Sequence, residues 1–179
     1  MVILRRWIFV AALFAGGSGC AVKMHLNLQP GACVNPQEGS CPLDANAASS
    51  RILELRFYQL KQSIAPCQLD WNAFAANKDM DLLRSALATS VSVDLESQRV
   101  DAVRRIEKVA PNESRKLSPW RLMSSTRFIL MVAIGRNRGK NSIRLIPISR
   151  LRRDLVLHIH GYDLCLDQPC DLNMELECP

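Results

Sequence analysis

The sequence predicts a mainly β protein, specifically a β-sandwich with a small helical insertion. Several short segments alternate apolar and polar residues with a period of two, which is the pattern of half-buried strands. Turn-forming residues separate these segments, as they do in sandwiches built from short strands. One longer stretch, residues 70–88, has the apolar spacing of a helix instead.

The N-terminal segment predicts export. Two arginines precede a short apolar run, and the small residues 15–19 lead directly into Cys20. A charged region, a short apolar region and a small-residue cleavage site together define a secretory signal peptide. The apolar run is shorter than the ~20 residues that cross a bilayer as a helix. We therefore predict a signal peptide over residues 1–19 and a single domain over residues 20–179.

Cys20 follows that cleavage site directly, and its position resembles the bacterial lipobox. In a lipobox the cysteine is lipidated and becomes the first residue of the mature chain. The resemblance implies that acyl chains on Cys20 hold the protein at a membrane, and attachment is stable when more than one chain is buried. A plain secretory signal, with Cys20 an ordinary cysteine, is the alternative.

The number of cysteines supports lipidation of Cys20. The chain has seven cysteines, an odd number that leaves one thiol over in an exported protein. If Cys20 carries lipid, the others can pair completely in an oxidising compartment. Proximity favours two local bridges, Cys33–Cys41 and Cys165–Cys170, and leaves the last two cysteines for each other. The candidate disulfide cysteines are Cys33, Cys41, Cys67, Cys165, Cys170 and Cys178.

Charge is distributed unevenly along the chain, whose formal net charge is +6. Basic residues are dense between Arg99 and Arg153, whereas residues 154–179 contain six acidic residues and no lysine or arginine. A basic patch attracts anionic headgroups, an acidic partner or nucleic acid. Because the chain is predicted to be exported, we expect no nucleic acid partner. Residues 163–179 are predicted to form an acidic, cysteine-containing C-terminal tail.

The domain is predicted to begin with a strand, a long loop and a second strand. Ala21–Leu28 alternates apolar and polar residues, and Gln29–Ser50 is a loop rich in proline and glycine. Cysteines inside this loop argue against disorder. Arg51–Lys61 is the clearest strand, with Glu54 and Arg56 on the face opposite its leucines.

The helical insertion follows, and after it the chain is predicted to be all β. Residues 70–88 form the insertion, and Asp70 or Asp79 can cap its helix. Arg99–Val109 is predicted to be a strand that ends in a turn at Pro111–Glu113.

The last strands differ in how their two faces are expected to be covered. Arg127–Gly135 is apolar on both faces, which places it at the centre of a sheet. Ser142–Ile148 contains Pro147, which favours an edge position. Leu155–His160 alternates, with its leucines and isoleucine inward and its histidines outward.

Motifs for catalysis and cofactor binding are absent from the sequence. It contains no GxSxG, no HExxH and no glycine-rich phosphate loop, and no CxxC pair for zinc. His158 and His160 share a strand face, so an HxH metal pair is geometrically possible. We favour two surface histidines, and we therefore expect no catalytic residue, no metal and no cofactor.

The segment LELRFYQLK at residues 53–61 resembles a strand of the TssJ (SciN) family, the outer-membrane lipoproteins of type VI secretion systems. This family has a lipobox, a first strand that ends near an asparagine, and a later strand that ends in Val-Ala before a basic turn. The counterparts here are Cys20, Asn35 and the Val-Ala pair at residues 132–133, which leads to Arg136. Within the segment, Tyr-Gln-Leu-Lys is the most specific element.

The resemblance implies a transthyretin-like β-sandwich and a structural role. It implies an outer-membrane lipoprotein that faces the periplasm and recruits the periplasmic domain of an inner-membrane partner, TssM. In this family the loop between the first two strands makes much of the contact, and it corresponds to residues 29–50. A Cys33–Cys41 bridge would reduce the entropy that the loop loses on docking. The residues expected to form this partner-binding loop include Gln29, Gly31, Cys33, Asn35, Gln37, Glu38, Cys41 and Asp44.

Two other functions remain open from the sequence. The second hypothesis is a pilotin, a lipoprotein chaperone that carries a secretin subunit to the outer membrane, because some pilotins are also β-sandwiches. The third is an exported enzyme or metal-binding protein that uses His158 and His160.

Overall fold

The computed structural model describes residues 23–36, 51–65, 69–70, 72, 74, 81–88, 104–138, 142–151 and 154–167. Within these residues, nine strands form two sheets, and a short helix interrupts the series of strands. The predicted mainly β sandwich with a helical insertion is therefore confirmed.

The first sheet is organised around a parallel pair of strands. Its described strands are β1 (Lys23–Val34), β4 (Arg115–Lys116), β5 (Trp120–Arg121), β8 (Asp154–Gly161) and β9 (Asp163–Leu166). β1 runs parallel to β8, with His25 opposite Asp154 and Val34 opposite Gly161. β4 and β5 pair antiparallel with the other edge of β1, and β9 pairs antiparallel with β8.

The second sheet is antiparallel throughout its described strands. These are β2 (Leu53–Leu60), β3 (Arg104–Val109), β6 (Phe128–Ile134) and β7 (Ile143–Pro147). Their order is β3-β2-β6-β7, so β6 has a neighbour on each side and β7 lies at an edge. Both predictions for these strands are confirmed: the strand that is apolar on both faces is central, and the strand that contains Pro147 is an edge strand.

The main core lies between the two sheets and is built from every second residue of the longer strands. The first sheet contributes the inward face of β1 and β8, and the second sheet contributes one face of β2 and β6. The buried side chains of β1, β2 and β8 in this core include Met24, Leu26, Leu28, Leu53, Leu55, Phe57, Leu155, Leu157 and Ile159. The predicted alternation of β1, β2 and β8 is confirmed.

A second core cluster covers the outer face of the second sheet. Tyr58 and Leu60 of β2 pack there with the helical insertion, which includes α1 (Asp81–Ala86). The predicted cap is confirmed at Asp70, whose Oδ1 accepts a hydrogen bond from the Asn72 amide at 2.8 Å. Phe74 continues this helical turn and lies 5.9 Å from Tyr58 between ring centroids.

Arg56 lies on the predicted face of β2 but is buried, with only 5% of its surface exposed. The insertion covers this face, so the guanidinium group needs partners inside the protein. Its Nε donates to Glu54 Oε1 at 2.6 Å, and its Nη1 donates to the Phe74 carbonyl oxygen at 2.5 Å. Arg56 therefore joins the sheet to the insertion.

Two predicted boundaries are wrong. β1 continues to Val34, so residues 29–34 are strand and the loop after β1 begins at Asn35. The extension pairs with β8 as far as Pro30, which lies opposite Ile159, and again at Val34, with a register shift between these two residues. The predicted C-terminal tail begins with β9, because residues 163–166 pair with β8.

Several predictions concern residues outside the described part of the chain. These include the signal peptide and the lipidation cysteine, the second half of the β1–β2 loop, and the end of the acidic tail. The named residues among them are Cys20, Gln37, Glu38, Cys41, Asp44, Cys67, Asp79, Cys170 and Cys178. In the part of the chain that is described, no helix has the length and apolar character needed to cross a membrane.

Candidate functional site

Three strand ends and one strand start meet at one end of the sandwich, which we call the loop end. There β1 finishes beside the end of β8, and the Asn35 amide donates to the Gly161 carbonyl oxygen at 2.9 Å. β2 begins nearby, and the Arg51 amide donates to the Val34 carbonyl oxygen at 3.1 Å. The end of β6 pairs with the start of β2, since Ile134 lies opposite Glu54.

Asn35 connects these elements through its side chain. Its Nδ2 donates to the Ile52 carbonyl oxygen at 2.7 Å, and its Oδ1 accepts from the Arg136 amide at 2.9 Å. Its backbone φ angle is 49°, in the left-handed region that asparagine tolerates better than most residues. Only 8% of its surface is exposed. One buried amide therefore joins the end of β1 to the start of β2 and to the turn after β6.

Tyr162 and Gly135 complete the packing around Asn35. The Tyr162 hydroxyl donates to the Pro36 carbonyl oxygen at 2.6 Å. A Cβ atom on Gly135 would lie 2.6 Å from the Tyr162 ring and 2.8 Å from Asn35 Oδ1. Only glycine at this position lets the tyrosine ring and the asparagine amide approach together.

These contacts fix both stems of the β1–β2 loop. Asn35 and Pro36 hold the first stem, and Arg51 and Ile52 hold the second. Stems that are already ordered lower the conformational entropy that a loop loses when it binds a partner. The loop end is therefore suited to protein docking.

The structure separates the predicted loop residues into two groups. Gln29, Gly31 and Cys33 belong to β1, where Gln29 is exposed opposite His158 and the Gly31 carbonyl oxygen accepts from the Asn112 amide at 3.1 Å. Asn35 lies at the loop stem. The predicted positions at Gln37, Glu38, Cys41 and Asp44 lie outside the described residues.

Cys33 and Cys165 are each disulfide-bonded. They are not bonded to each other, because Cys33 lies in β1 and Cys165 in β9, with β8 between these strands. Two strand spacings amount to about 10 Å, whereas the Cα atoms of a disulfide lie within about 7 Å of each other. Each of the two is therefore bonded to another cysteine.

Charged groups surround the loop end and the adjoining edge. Arg51, Arg136 and Arg138 are exposed there. Further along the edge, Arg144 Nε donates to the Leu164 carbonyl oxygen at 2.8 Å and so ties β7 to β9 across the two sheets. Burial lowers the pKa of Arg144, and the carboxylate of Asp163 opposes this shift.

The described residues offer no group of three or more histidine, cysteine, aspartate or glutamate side chains that could hold a metal ion. His158 and His160 lie half-buried on the outer face of β8. The arrangement at the loop end consists instead of ordered backbone, a buried amide and exposed arginines.

Several solved structures with the same fold belong to type VI secretion systems. The match to the lipoprotein TssJ1 from Pseudomonas aeruginosa spans 84% of this chain and 99% of the TssJ1 chain, at 19% identity and a TM-score of 0.57. A second match is Lip from Serratia marcescens, described as a membrane bound component of the system. It spans 82% of this chain and 97% of the Lip chain, at 17% identity and a TM-score of 0.55. No protein-family model and no curated protein sequence matches the chain.

The chain has the fold of the TssJ lipoproteins. A third structure, described as the T6SS protein TssM C-terminal domain from EAEC, contains a chain that matches 80% of this chain and 98% of its own, at 15% identity and a TM-score of 0.57. The resemblance stated from the sequence is confirmed at the level of the fold. At identities this low, individual residues of this chain cannot be matched to individual residues of the TssJ structures.

Tyr162, Gly135 and Gly161 belong to this site but were not predicted from the sequence. A usable signal was present at Gly135, which directly follows a doubly apolar strand and precedes a basic turn. A glycine at such a position often marks a close approach of another chain segment. Tyr162 offered no comparable pattern, because its partner, Pro36, is distant in sequence.

Proposed function

We propose that this chain is a lipid-anchored structural component of a type VI secretion membrane complex. Acyl chains on Cys20 hold it at the outer membrane, facing the periplasm. Its loop end recruits the periplasmic domain of a TssM-like inner-membrane protein. The role is structural rather than enzymatic. The TssJ fold supports this proposal, and the fixed stems of the β1–β2 loop are the observation that carries it.

The geometry of β1 supports the division of roles between the two ends. β1 has 12 residues, so the ends of this strand are about 35 Å apart at the usual rise per residue. Cys20 precedes the start of β1 by three residues, whereas Asn35 follows its end. A lipid on Cys20 would therefore hold one end of the sandwich at the bilayer and leave the loop end facing away from it.

We assign partner contact to the loop that the two stems hold. Gln37, Glu38 and Asp44 are the polar residues that we expect to contact the partner, and a Cys33–Cys41 bridge would keep the first half of the loop close to β1. The exposed arginines beside the stems, Arg51 and Arg138, would add charge complementarity to an acidic surface.

The test measures the affinity of the mature chain for the purified TssM periplasmic domain. We expect the double variant Gln37→Ala and Asp44→Ala to weaken binding at least about tenfold, since a few central contacts carry most interface energy. The matched control is Gln62→Ala with Asp154→Ala, two exposed residues of the same types outside the loop end. Equal affinity for the two double variants would contradict the assignment of the loop.

A further inference from the structure

The end of the sandwich opposite the loop end carries a concentration of exposed basic side chains, which we call the basic end. These side chains come from separate parts of the sequence and are brought together only by the fold. Among the described residues, they are Lys23, Lys61, Arg121, Arg127 and Arg150.

Backbone contacts place these residues at the same end. Lys23 pairs with Arg121 between β1 and β5. The buried Gln59 side chain donates to the Arg121 carbonyl oxygen at 3.0 Å, which brings the end of β2, and with it Lys61, to the same place.

The remaining two residues reach this end through the second sheet. The Arg127 amide donates to the Leu60 carbonyl oxygen at 2.7 Å. The Arg127 carbonyl oxygen accepts from the Ile148 amide at 2.9 Å, and Ile148 begins the short 3-10 helix that ends at Arg150. The basic end is therefore formed by both sheets.

The basic end is not neutralised by acidic side chains of the described chain. No hydrogen bond or ion pair within the described residues involves any of the five basic side chains. The exposed Asp154 lies at this end and pairs instead with Lys116, at 3.8 Å. As far as the described residues go, the five cations are available to an external anion.

The proposed lipid attachment at Cys20 determines which external anions lie nearest to the basic end. Cys20 precedes Lys23 by three residues, so a fully extended link is about 10 Å long. This length is close to the distance over which charges interact at physiological salt, which is about 8 Å. The lipid attachment proposed above would thus hold the basic end within electrostatic range of the bilayer surface.

We propose that the basic end binds the anionic phospholipid headgroups of the leaflet in which the acyl chains are inserted. This contact would fix the orientation of the domain, so that the long axis of the sandwich stands away from the membrane. Exposed basic residues at the loop end cannot replace it, because they lie about 35 Å away along β1, several screening lengths from the surface. The inference rests on the lipid attachment of the proposed function.

The experiment measures electrostatic binding without the lipid. The protein is the mature chain, residues 20–179, with Cys20→Ser, because both described core clusters consist of residues after Lys23. The probes are vesicles of phosphatidylethanolamine with phosphatidylglycerol, and neutral phosphatidylcholine vesicles for comparison. The test variant combines Lys61→Gln, Arg121→Gln and Arg127→Gln. The matched control combines Arg51→Gln, Lys108→Gln and Arg138→Gln, which removes the same charge from exposed residues near the loop end.

We expect the parent chain to bind the anionic vesicles and to release from them as salt increases. Each basic residue near an anionic surface strengthens partitioning roughly fivefold, so the test variant should bind about a hundredfold more weakly. The control variant should stay within about threefold of the parent. Equal losses in the two triple variants, or no preference for anionic vesicles, would overturn the inference.

Capture of the TssM periplasmic domain separates this inference from the proposed function. The test variant should capture that domain as well as the parent chain does. If the test variant folds normally but loses capture, the basic end is a protein-binding surface and the membrane assignment is wrong. If the parent chain binds vesicles as expected but captures no partner domain, the proposed function fails. The assignment of the basic end to headgroup binding is then retained.

Discussion

A buried amide side chain stabilises a fold when each of its polar atoms has a partner, because unpaired polar groups are costly to remove from water. Asn35 meets this condition with one donor and one acceptor contact to separate elements. Its left-handed backbone also turns the chain sharply out of β1. At the scale of single residues, Asn35 therefore does two things at once: it ends a strand and it fixes the neighbouring stem.

We predict that Asn35→Ala destabilises the domain by about 2–4 kcal/mol, because two partly buried hydrogen bonds are lost and alanine is strained in the left-handed region. The control is Asn112→Ala, since Asn112 also has a positive φ angle, 56°, but is exposed. The Asn112→Ala variant should lose only about 1 kcal/mol of unfolding free energy. Denaturant unfolding measures both values. Similar losses would mean that the Asn35 side-chain contacts contribute little.

Gly135→Ala tests the close approach at the same site. The added methyl group would overlap the Tyr162 ring, so we expect a loss of about 2 kcal/mol or more and a displaced tyrosine. Gly31→Ala is the matched control, because its Cβ would lie 3.5 Å from the nearest atom, the Ile159 carbonyl oxygen. Unfolding free energies and the near-ultraviolet spectrum distinguish the two variants. A tolerated Gly135→Ala would show that the loop end is loosely packed.

At the scale of elements, the Tyr-Gln-Leu-Lys segment has a structural explanation. Tyr58 and Leu60 pack under the helical insertion, while Gln59 is fully buried. The Gln59 Oε1 accepts from the Met123 amide at 2.7 Å and from the Thr126 hydroxyl at 2.6 Å. The end of β2 is thus fastened to the segment that leads into β6. Three of the four residues that gave the sequence its most specific resemblance, Tyr58, Gln59 and Leu60, therefore fasten the end of β2 to the elements around it.

The pH dependence of the free energy of unfolding tests whether the helical insertion buries Tyr58. Burial raises the pKa of Tyr58, and the neighbouring Arg56 opposes the shift. Above pH about 10 a tyrosine in the unfolded chain loses its proton, whereas the folded chain retains it. Deprotonation then favours the unfolded state, so stability is complete below this pH and falls as pH rises through it. Tyr58→Phe should reduce this fall, measured by urea unfolding between pH 8 and 11. An unchanged fall would show that Tyr58 is not responsible.

The disulfides give a prediction at the same scale. Cys33 and Cys165 are both bonded, but not to each other. We expect peptide mapping under non-reducing conditions to find Cys33 joined to Cys41 and Cys165 joined to Cys170, with Cys67 joined to Cys178. Any disulfide that includes Cys20 would contradict both this pairing and the lipid attachment.

Local pattern predicted most elements, and long-range pairing decided the rest. Alternation located β2 and the inward face of β8, and doubly apolar composition located β6, because each property depends on neighbouring residues alone. The extension of β1 past Pro30 was not predictable, since its partner, β8, lies more than a hundred residues later. Likewise β9 was hidden in an acidic segment, and only pairing with β8 makes it a strand.

The candidate site shows the same limit. Asn35 was identified through the family resemblance, in which the first strand ends near an asparagine, and the proline and glycine content marked the loop that contains it. Tyr162 and Gly135 belong to the site only because the fold brings three distant segments together. A single sequence gives no direct sign of such convergence.

At the scale of the whole molecule, we propose different partners for the two ends of one sandwich. In this proposal the basic end, close to the start of β1, faces the bilayer, and the loop end presents ordered stems about 35 Å away along the strand. A rigid domain can hold a partner at a defined distance from a membrane only if both of its ends are bound. The buried core between the two sheets supplies that rigidity.

The most direct test is flotation of neutral phosphatidylcholine vesicles, to which the basic end is not expected to bind, with the acylated mature protein and the purified TssM periplasmic domain. We predict that the domain floats with vesicles that carry the native protein, and stays in the soluble fraction when the protein carries Cys20→Ser or Gln37→Ala with Asp44→Ala. Mass spectrometry of the same sample should show acyl chains on Cys20. A partner domain that fails to float with the native, acylated protein would contradict the account.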